Sequence, residues 1–276
     1  MSTRTSDGPA RPLRFRWDPR TGMGEEDPAE GRLLVADSWL VEEGAVRGAD
    51  RHLERFAGAC GRSAGIGRDT VAEFWAQALA AVPAAGAWFP RVELRRAREV
   101  SLHLLLRPAP ERGDRVSVLP WPGPDPRSHP RVKGPDLDRL AGLRQQARRG
   151  GADDALLLTS SGLVTESTTS ALLWWEDRSL CLPSPALRAM PSVTSALITD
   201  LARREGVRVR RRRARLEDLS GREVWLVNAL HGIRVVCSWT GSSLVAGPGE
   251  RAGAWRARLE DLRRPLPSRP PSGGGP

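Results

Sequence analysis

The sequence predicts a mixed α/β (α+β) protein of two small domains. Three observations carry this. Helical and strand periodicities mix within two blocks, 31–119 and 135–246. A proline-dense stretch at 120–134 lies between them. The chain has 276 residues, 39% of them hydrophobic and 28% charged, which is enough apolar material for more than one compact core.

Residues 1–30 are polar and read as irregular, with Phe15–Trp17 as a short strand. GRLLVADSWLVEEG reads as a strand or strand pair ending in a turn. ADRHLERFAGACGRS reads as a helix, because His52, Leu53, Phe56, Ala57 and Cys60 share one face; Asp50 offers an N-cap. DTVAEFWAQALAAV is a second helix, capped by Asp69 or Thr70 and stopped near Pro83. WFPRVELRR, VSLHLLLRP and RVSVLP read as three strands. The prolines of 120–134 predict a stiff connector without regular structure, and Lys133 stands at its end.

The second block opens with the helix DLDRLAGLRQQARR, closed by Gly150 and Gly151. ADDALLLTSSGLVTES reads as two strands around Ser161-Gly162. SALLWWEDRSLCLPS is a hairpin turning near Glu176–Arg178. SVTSALITDLARREGV is a helix ended by Gly206, with Ser192 placed as its cap. VRVRRRRARL alternates like an exposed edge strand, and REVWLVNALHGIRVVCSW supplies one or two buried strands. Residues 247–276 read as a C-terminal tail.

No apolar run approaches the ~20 residues that span a bilayer, and the first residues lack an apolar signal core, so a cytoplasmic protein without a membrane partner is expected. Cys60, Cys181 and Cys237 are too scattered for a disulfide framework or a metal site, and no metal is expected. The net charge is +10, which raises nucleic acid as a partner, as does the run Arg210–Arg213. Yet the 43 basic residues are 42 arginines and one lysine, a coding bias that empties the arginine count of meaning. The run alternates with Val207 and Val209, as a charge-defended edge strand does, so nucleic acid is the weaker reading. The bias makes the solitary Lys133 the residue of interest. Arginine replaces lysine on solvated surfaces, but not where a neutral amine must attack a carbonyl.

The run from Pro130 to Trp175 places Lys133 ahead of Gly151-Ala152-Asp153-Asp154-Ala155-Leu156, and that ahead of Val164-Thr165-Glu166-Ser167. This order resembles the class IV pyridoxal-phosphate enzymes: branched-chain and D-amino acid aminotransferases and 4-amino-4-deoxychorismate lyases. HLERF, MPSVTSALITDLARREGV and REVWLVNALHGIRVV resemble further segments of that family, in the same order. The resemblance implies a small N-terminal domain and a larger C-terminal cofactor domain in a homodimer. It implies pyridoxal 5'-phosphate as the cofactor and Lys133 as its Schiff-base lysine. Glu166 would face the pyridine nitrogen and Arg55 the phosphate. Val193 and Thr194, at a helix start, would seat the same phosphate, with Asn228 and Ala229 on a second loop. His52 and His231 fall inside these motifs and read as packed or hydrogen-bonded histidines.

The chain departs from the family at several points: MPSVTS stands for LPGITR, Ala171 for an asparagine, VADSWL for the first-block GDGxFET, and Asp138 for an aromatic residue after the lysine. The missing aromatic, the NALHGI segment and Ser38, which falls where lyases carry a hydroxyl near the substrate, favour an aminodeoxychorismate lyase giving 4-aminobenzoate and pyruvate. The alternative is a class IV aminotransferase acting on an amino acid and a 2-oxo acid.

Overall fold

A computed structural model describes residues 11–26 and 29–267, and the chain forms two compact units, 1–111 with 264–276 and 112–263. In the first unit the strands are β1 (Leu13–Asp18), β2 (Gly22–Glu25), β3 (Arg32–Ser38), β4 (Val41–Glu42), β5 (Ala45–Arg47), β6 (Ala87–Trp88), β7 (Arg91–Arg96) and β8 (Val100–Leu106). The helices are α1 (Ala49–Ala64) and α2 (Arg68–Ala80). A five-stranded sheet runs β2-β1-β8-β7-β3. The apolar residues that alternate along it, such as Val92, Leu94, Leu102 and Leu104, are buried. Helix α1 buries His52, Phe56, Ala59 and Cys60, one stripe at helical spacing.

Three sequence readings of this unit are corrected. Residues 13–25, expected to be irregular around one short strand, form a hairpin. Neither Asp50 nor Asp69 caps a helix: α1 and α2 start after Gly48 and Gly67, without a side-chain cap bond. The acidic residues sit in the first turns instead, where they still complement the helix dipole.

The second unit is built on an eight-stranded sheet ordered β11-β10-β9-β16-β15-β12-β13-β14. Its strands are β9 (Arg115–Pro124), β10 (Asp154–Leu158), β11 (Val164–Ser167), β12 (Ala171–Glu176), β13 (Ser179–Pro183), β14 (Arg208–Arg212), β15 (Val224–Asn228) and β16 (Gly232–Trp239). Its helices are α3 (Leu137–Arg149), α4 (Val193–Arg204) and α5 (Ala252–Glu260). One further pairing, Glu166 with Ala171, joins β11 to β12. The arginine run lies in and just after β14, at the sheet edge, as its alternation predicts.

The expected proline connector begins inside a strand. β9 runs through Pro120, Pro122 and Pro124. The odd-numbered residues of β9 face β10: Ser117 O accepts from Asp153 N–H, and Asp125 N–H donates to Leu158 O. Pro120 and Pro124 stand opposite Leu156 and Leu158 of β10 across a register shift, and on the other side β16 pairs with β9 only as far as Val118.

The expected tail is also partly ordered. Helix α5 buries Ala252, Trp255 and Leu259. Trp255 packs on Trp175 and Trp225 with ring centroids 5.5 and 5.9 Å away. The buried Glu223 carboxylate accepts the N–H groups of Arg251 and Ala252, both at 3.0 Å, and so caps the helix from a distant part of the chain. The chain then returns through β17 (Arg263–Pro265) to a four-stranded sheet, β17-β5-β4-β6, of the first unit. Among the described residues no helix is long and apolar enough to cross a membrane.

Candidate active site

Lys133 lies in the turn between β9 and α3 and is half-buried. The next residue, Gly134, is buried with φ 142°, a backbone setting that side chains disfavour. Asp136 braces the turn. Its buried carboxylate accepts the N–H groups of Ser128 (3.1 Å) and His129 (2.7 Å). Arg139 adds a bond to Pro126 O, and Arg131 reaches Pro185 O at 2.8 Å. The lysine is thus mounted on a backbone fixed from several directions.

Glu166 is the next-to-last residue of β11 and is buried. Its Oε1 accepts from Arg127 Nη1 (2.5 Å) and from Met190 N–H (2.7 Å), and neither bond uses Oε2. Arg127 stands six residues before Lys133, and Met190 three before α4. One carboxylate oxygen therefore ties the lysine-bearing segment to the approach of α4. Burial pushes the Glu166 pKa up, and the Arg127 cation only partly offsets this. Arg127 itself forms a fork on Asp125, with Nη2 to Oδ2 at 2.6 Å. Burial disfavours its charge, but Asp125 and Glu166 outweigh burial and raise its pKa.

The turn after Glu166 is organised by Asp154, which is fully buried. It accepts the hydroxyls of Ser167 (2.9 Å), Thr168 (2.5 Å) and Thr169 (2.6 Å) and the N–H of Ala155. Arg234 faces it at 3.5 Å. The ESTTS stretch is polar for this reason: its hydroxyls satisfy one buried carboxylate.

Helix α4 starts at Val193, as the sequence predicts, and Ser192 is its cap, accepting Ser195 N–H at 3.2 Å. Ala196 N–H already bonds Ser192 O. The buried residues Val193 and Thr194 thus present N–H groups that the helix does not use, a ready seat for an anion. Ser192→Ala should cost about 1 kcal/mol of stability, measured by denaturant unfolding.

Asn228 closes the β15–β16 hairpin. Its Oδ1 accepts from Leu230 and His231 N–H, and its Nδ2 donates to Ser170 Oγ at 3.0 Å. Its side chain is committed to the hairpin, and Ala229 sits at the tip. His231 Nδ1 accepts Gly113 N–H at 3.1 Å. Burial, then the nearby Arg234, pushes its pKa down to about 4, which suits a ring nitrogen that accepts a hydrogen bond.

Arg55 and Ser38 belong to the first unit. Asp37, at the end of β3, is fully buried and takes Arg55 Nε and Nη2, each at 2.8 Å. It also takes His52 Nδ1 at 2.8 Å and Ser38 N–H at 2.7 Å. His52 is therefore a buried hydrogen-bonded histidine, and Arg55 is oriented by a carboxylate fork. The sequence reading gives no role to Asp37, Arg127 or Asp154. Position is the only handle on them: Asp37 adjoins Ser38, Arg127 precedes the lysine, and Asp154 lies inside the quoted strand motif.

These elements define a fold that known aminotransferases share. A hypothetical aminotransferase from Mycobacterium tuberculosis, in its apo form, is 19% identical, with TM-score 0.73 over 91% of this chain and 98% of that one. The branched-chain amino acid aminotransferase of Escherichia coli is 15% identical, with TM-score 0.74 over 91% and 94%. The branched-chain aminotransferase of Thermoproteus uzoniensis, solved with norvaline, is 14% identical, with TM-score 0.78 over 92% and 99%. Among curated proteins no sequence match is found. The family profile for amino-transferase class IV matches residues 34–239. The chain belongs to the class IV aminotransferase family and is an enzyme.

Proposed function

We propose that this protein is a pyridoxal-phosphate-dependent aminotransferase that moves an amino group between an amino acid and a 2-oxo acid. The carrying observation is the Glu166 node: one buried oxygen joins the segment of the only lysine to the segment that opens α4. The residues fit the cofactor. An amine, a buried carboxylate with an oxygen to spare and two unused helix-start N–H groups match its aldehyde, ring nitrogen and phosphate. Two solved neighbours support the choice of cofactor, one with pyridoxal phosphate and one with its amino form and α-ketoglutarate.

When bound, pyridoxal phosphate supplies a reactive aldehyde and a ring that accepts electron density from a substrate carbon. Lys133 would hold the cofactor's aldehyde, and its neutral amine would carry a proton to and from the substrate's Cα, which a guanidinium cannot do. Glu166 keeps a proton at the ring nitrogen through Oε2. Val193 and Thr194 hold the phosphate by backbone N–H, and Ala229 and the backbone of Asn228 belong to the same seat. Arg55, pre-oriented by Asp37, keeps the phosphate role that its motif implies. A homodimer completes the reading, on the family resemblance alone.

The lyase reading is second, and Ser38 with the missing post-lysine aromatic favours it. The branched-chain enzymes among the neighbours support transamination instead. The loaded enzyme should convert branched-chain or other amino acids to 2-oxo acids when 2-oxoglutarate is present. Pyruvate and 4-aminobenzoate released from aminodeoxychorismate, with no transamination across the panel, would reverse the order of the two.

A further inference from the structure

We propose that Arg127 is a positioning residue for Glu166: its guanidinium occupies Oε1 and so reserves Oε2 for the cofactor's ring nitrogen. The inference rests on the pyridoxal-phosphate reading above. Arg127 is buried, with 3% of its side chain exposed, and every guanidinium nitrogen has an acceptor. Nε and Nη2 hold Asp125, and Nη1 spans Glu166 Oε1 and Pro130 O. Asp125 fixes the fork, and the fork fixes the carboxylate, because a planar guanidinium held on one edge has little freedom at the other. Met190 N–H meets the same Oε1, so two donors converge on one oxygen and neither takes the other.

The arrangement resolves a conflict. A buried carboxylate without a counter-charge takes up a proton, and a protonated Glu166 no longer attracts a ring N–H. A cation bonded to both oxygens would neutralise it too well and leave no acceptor. A cation on one oxygen avoids both faults. Pro130 O, three residues before the lysine, shares Nη1, so the same side chain also sets the distance between Glu166 and the start of the Lys133 turn.

The test compares the full-length wild type with Arg127→Met, Arg127→Lys, Glu166→Gln and the double variant Arg127→Met/Glu166→Gln. Pyridoxal-phosphate affinity is read from the visible absorbance of bound cofactor, and folding from the thermal midpoint of the cofactor-free protein. Arg127→Met should weaken binding about tenfold or more, the equivalent of losing one charge-assisted contact. Arg127→Lys should recover part of the loss, since it returns the charge without the fork. In the Glu166→Gln background, Arg127→Met should change affinity less than about twofold, because its effect runs through Glu166. Losses that multiply in the double variant, or an Arg127→Met protein that binds as the wild type does, overturn the proposal. If Arg127→Met does not fold, Arg127→Lys carries the test: wild-type affinity and an unmoved pH dependence of the visible band refute it. A wild type with no visible band defeats the cofactor reading and this proposal together, whereas a wild-type band with multiplying losses defeats this proposal alone.

Discussion

Lys133→Ala should lower turnover by about 10³-fold or more, within the range that loss of a positioned proton carrier produces in enzymes. Lys133→Arg should fail as badly, although it keeps the charge. The guanidinium stays protonated at working pH and can neither condense with an aldehyde nor accept a proton from carbon. Borohydride should fix the cofactor to the wild-type chain at Lys133 and to neither variant, as read by intact mass and peptide mapping. A Lys133→Ala protein that still retains cofactor after borohydride treatment would refute the assignment. Asp136, Arg139 and Gly134 brace the turn, and the thermal midpoint of the cofactor-free variant reads how well it folds.

Chemistry that depends on residue type was legible in the sequence, and chemistry that depends on a distant partner was not. Lys133 stood out because arginine bias had removed every other lysine. The α4 start was readable because a serine cap and helical spacing are local features. Arg127 was invisible among 42 arginines, since its meaning comes from Glu166, 39 residues away. Helix α5 was lost for the same reason: its cap is Glu223, not a residue beside it. Proline density predicts an irregular connector where β9 in fact runs on through Pro120, Pro122 and Pro124. The strand takes three prolines where its pairing with β10 slips register and its pairing with β16 has ended. Periodicity reads two mixed blocks, and the compact units are 1–111 with 264–276 and 112–263.

Asp37→Ala should cost about 3–5 kcal/mol of stability, the usual penalty for removing one partner from a buried ion pair. The site shields the carboxylate from bulk solvent. It is fully buried and accepts from Arg55, His52 and the Ser38 backbone. Burial alone would push its pKa up, but Arg55, then His52, outweighs burial and holds it well below the usual carboxylate range. The sign of the pH effect follows. A carboxylate with a depressed folded-state pKa contributes its full stability above the unfolded value, about 3.9, and loses it as pH falls toward the folded one. The stability gap between wild type and Asp37→Asn should therefore be constant above about pH 5 and shrink steadily in acid. Urea unfolding from pH 3 to 7 measures this directly. A gap that stays constant down to pH 3 would mean that the asparagine amide makes the same bonds and that the charge of Asp37 contributes nothing. The same substitution should weaken pyridoxal-phosphate affinity if Arg55 binds phosphate, because a guanidinium released from its fork loses the orientation that phosphate recognition needs. Unchanged affinity in a folded Asp37→Asn protein would mean that the charge of Asp37 does not govern cofactor binding through Arg55.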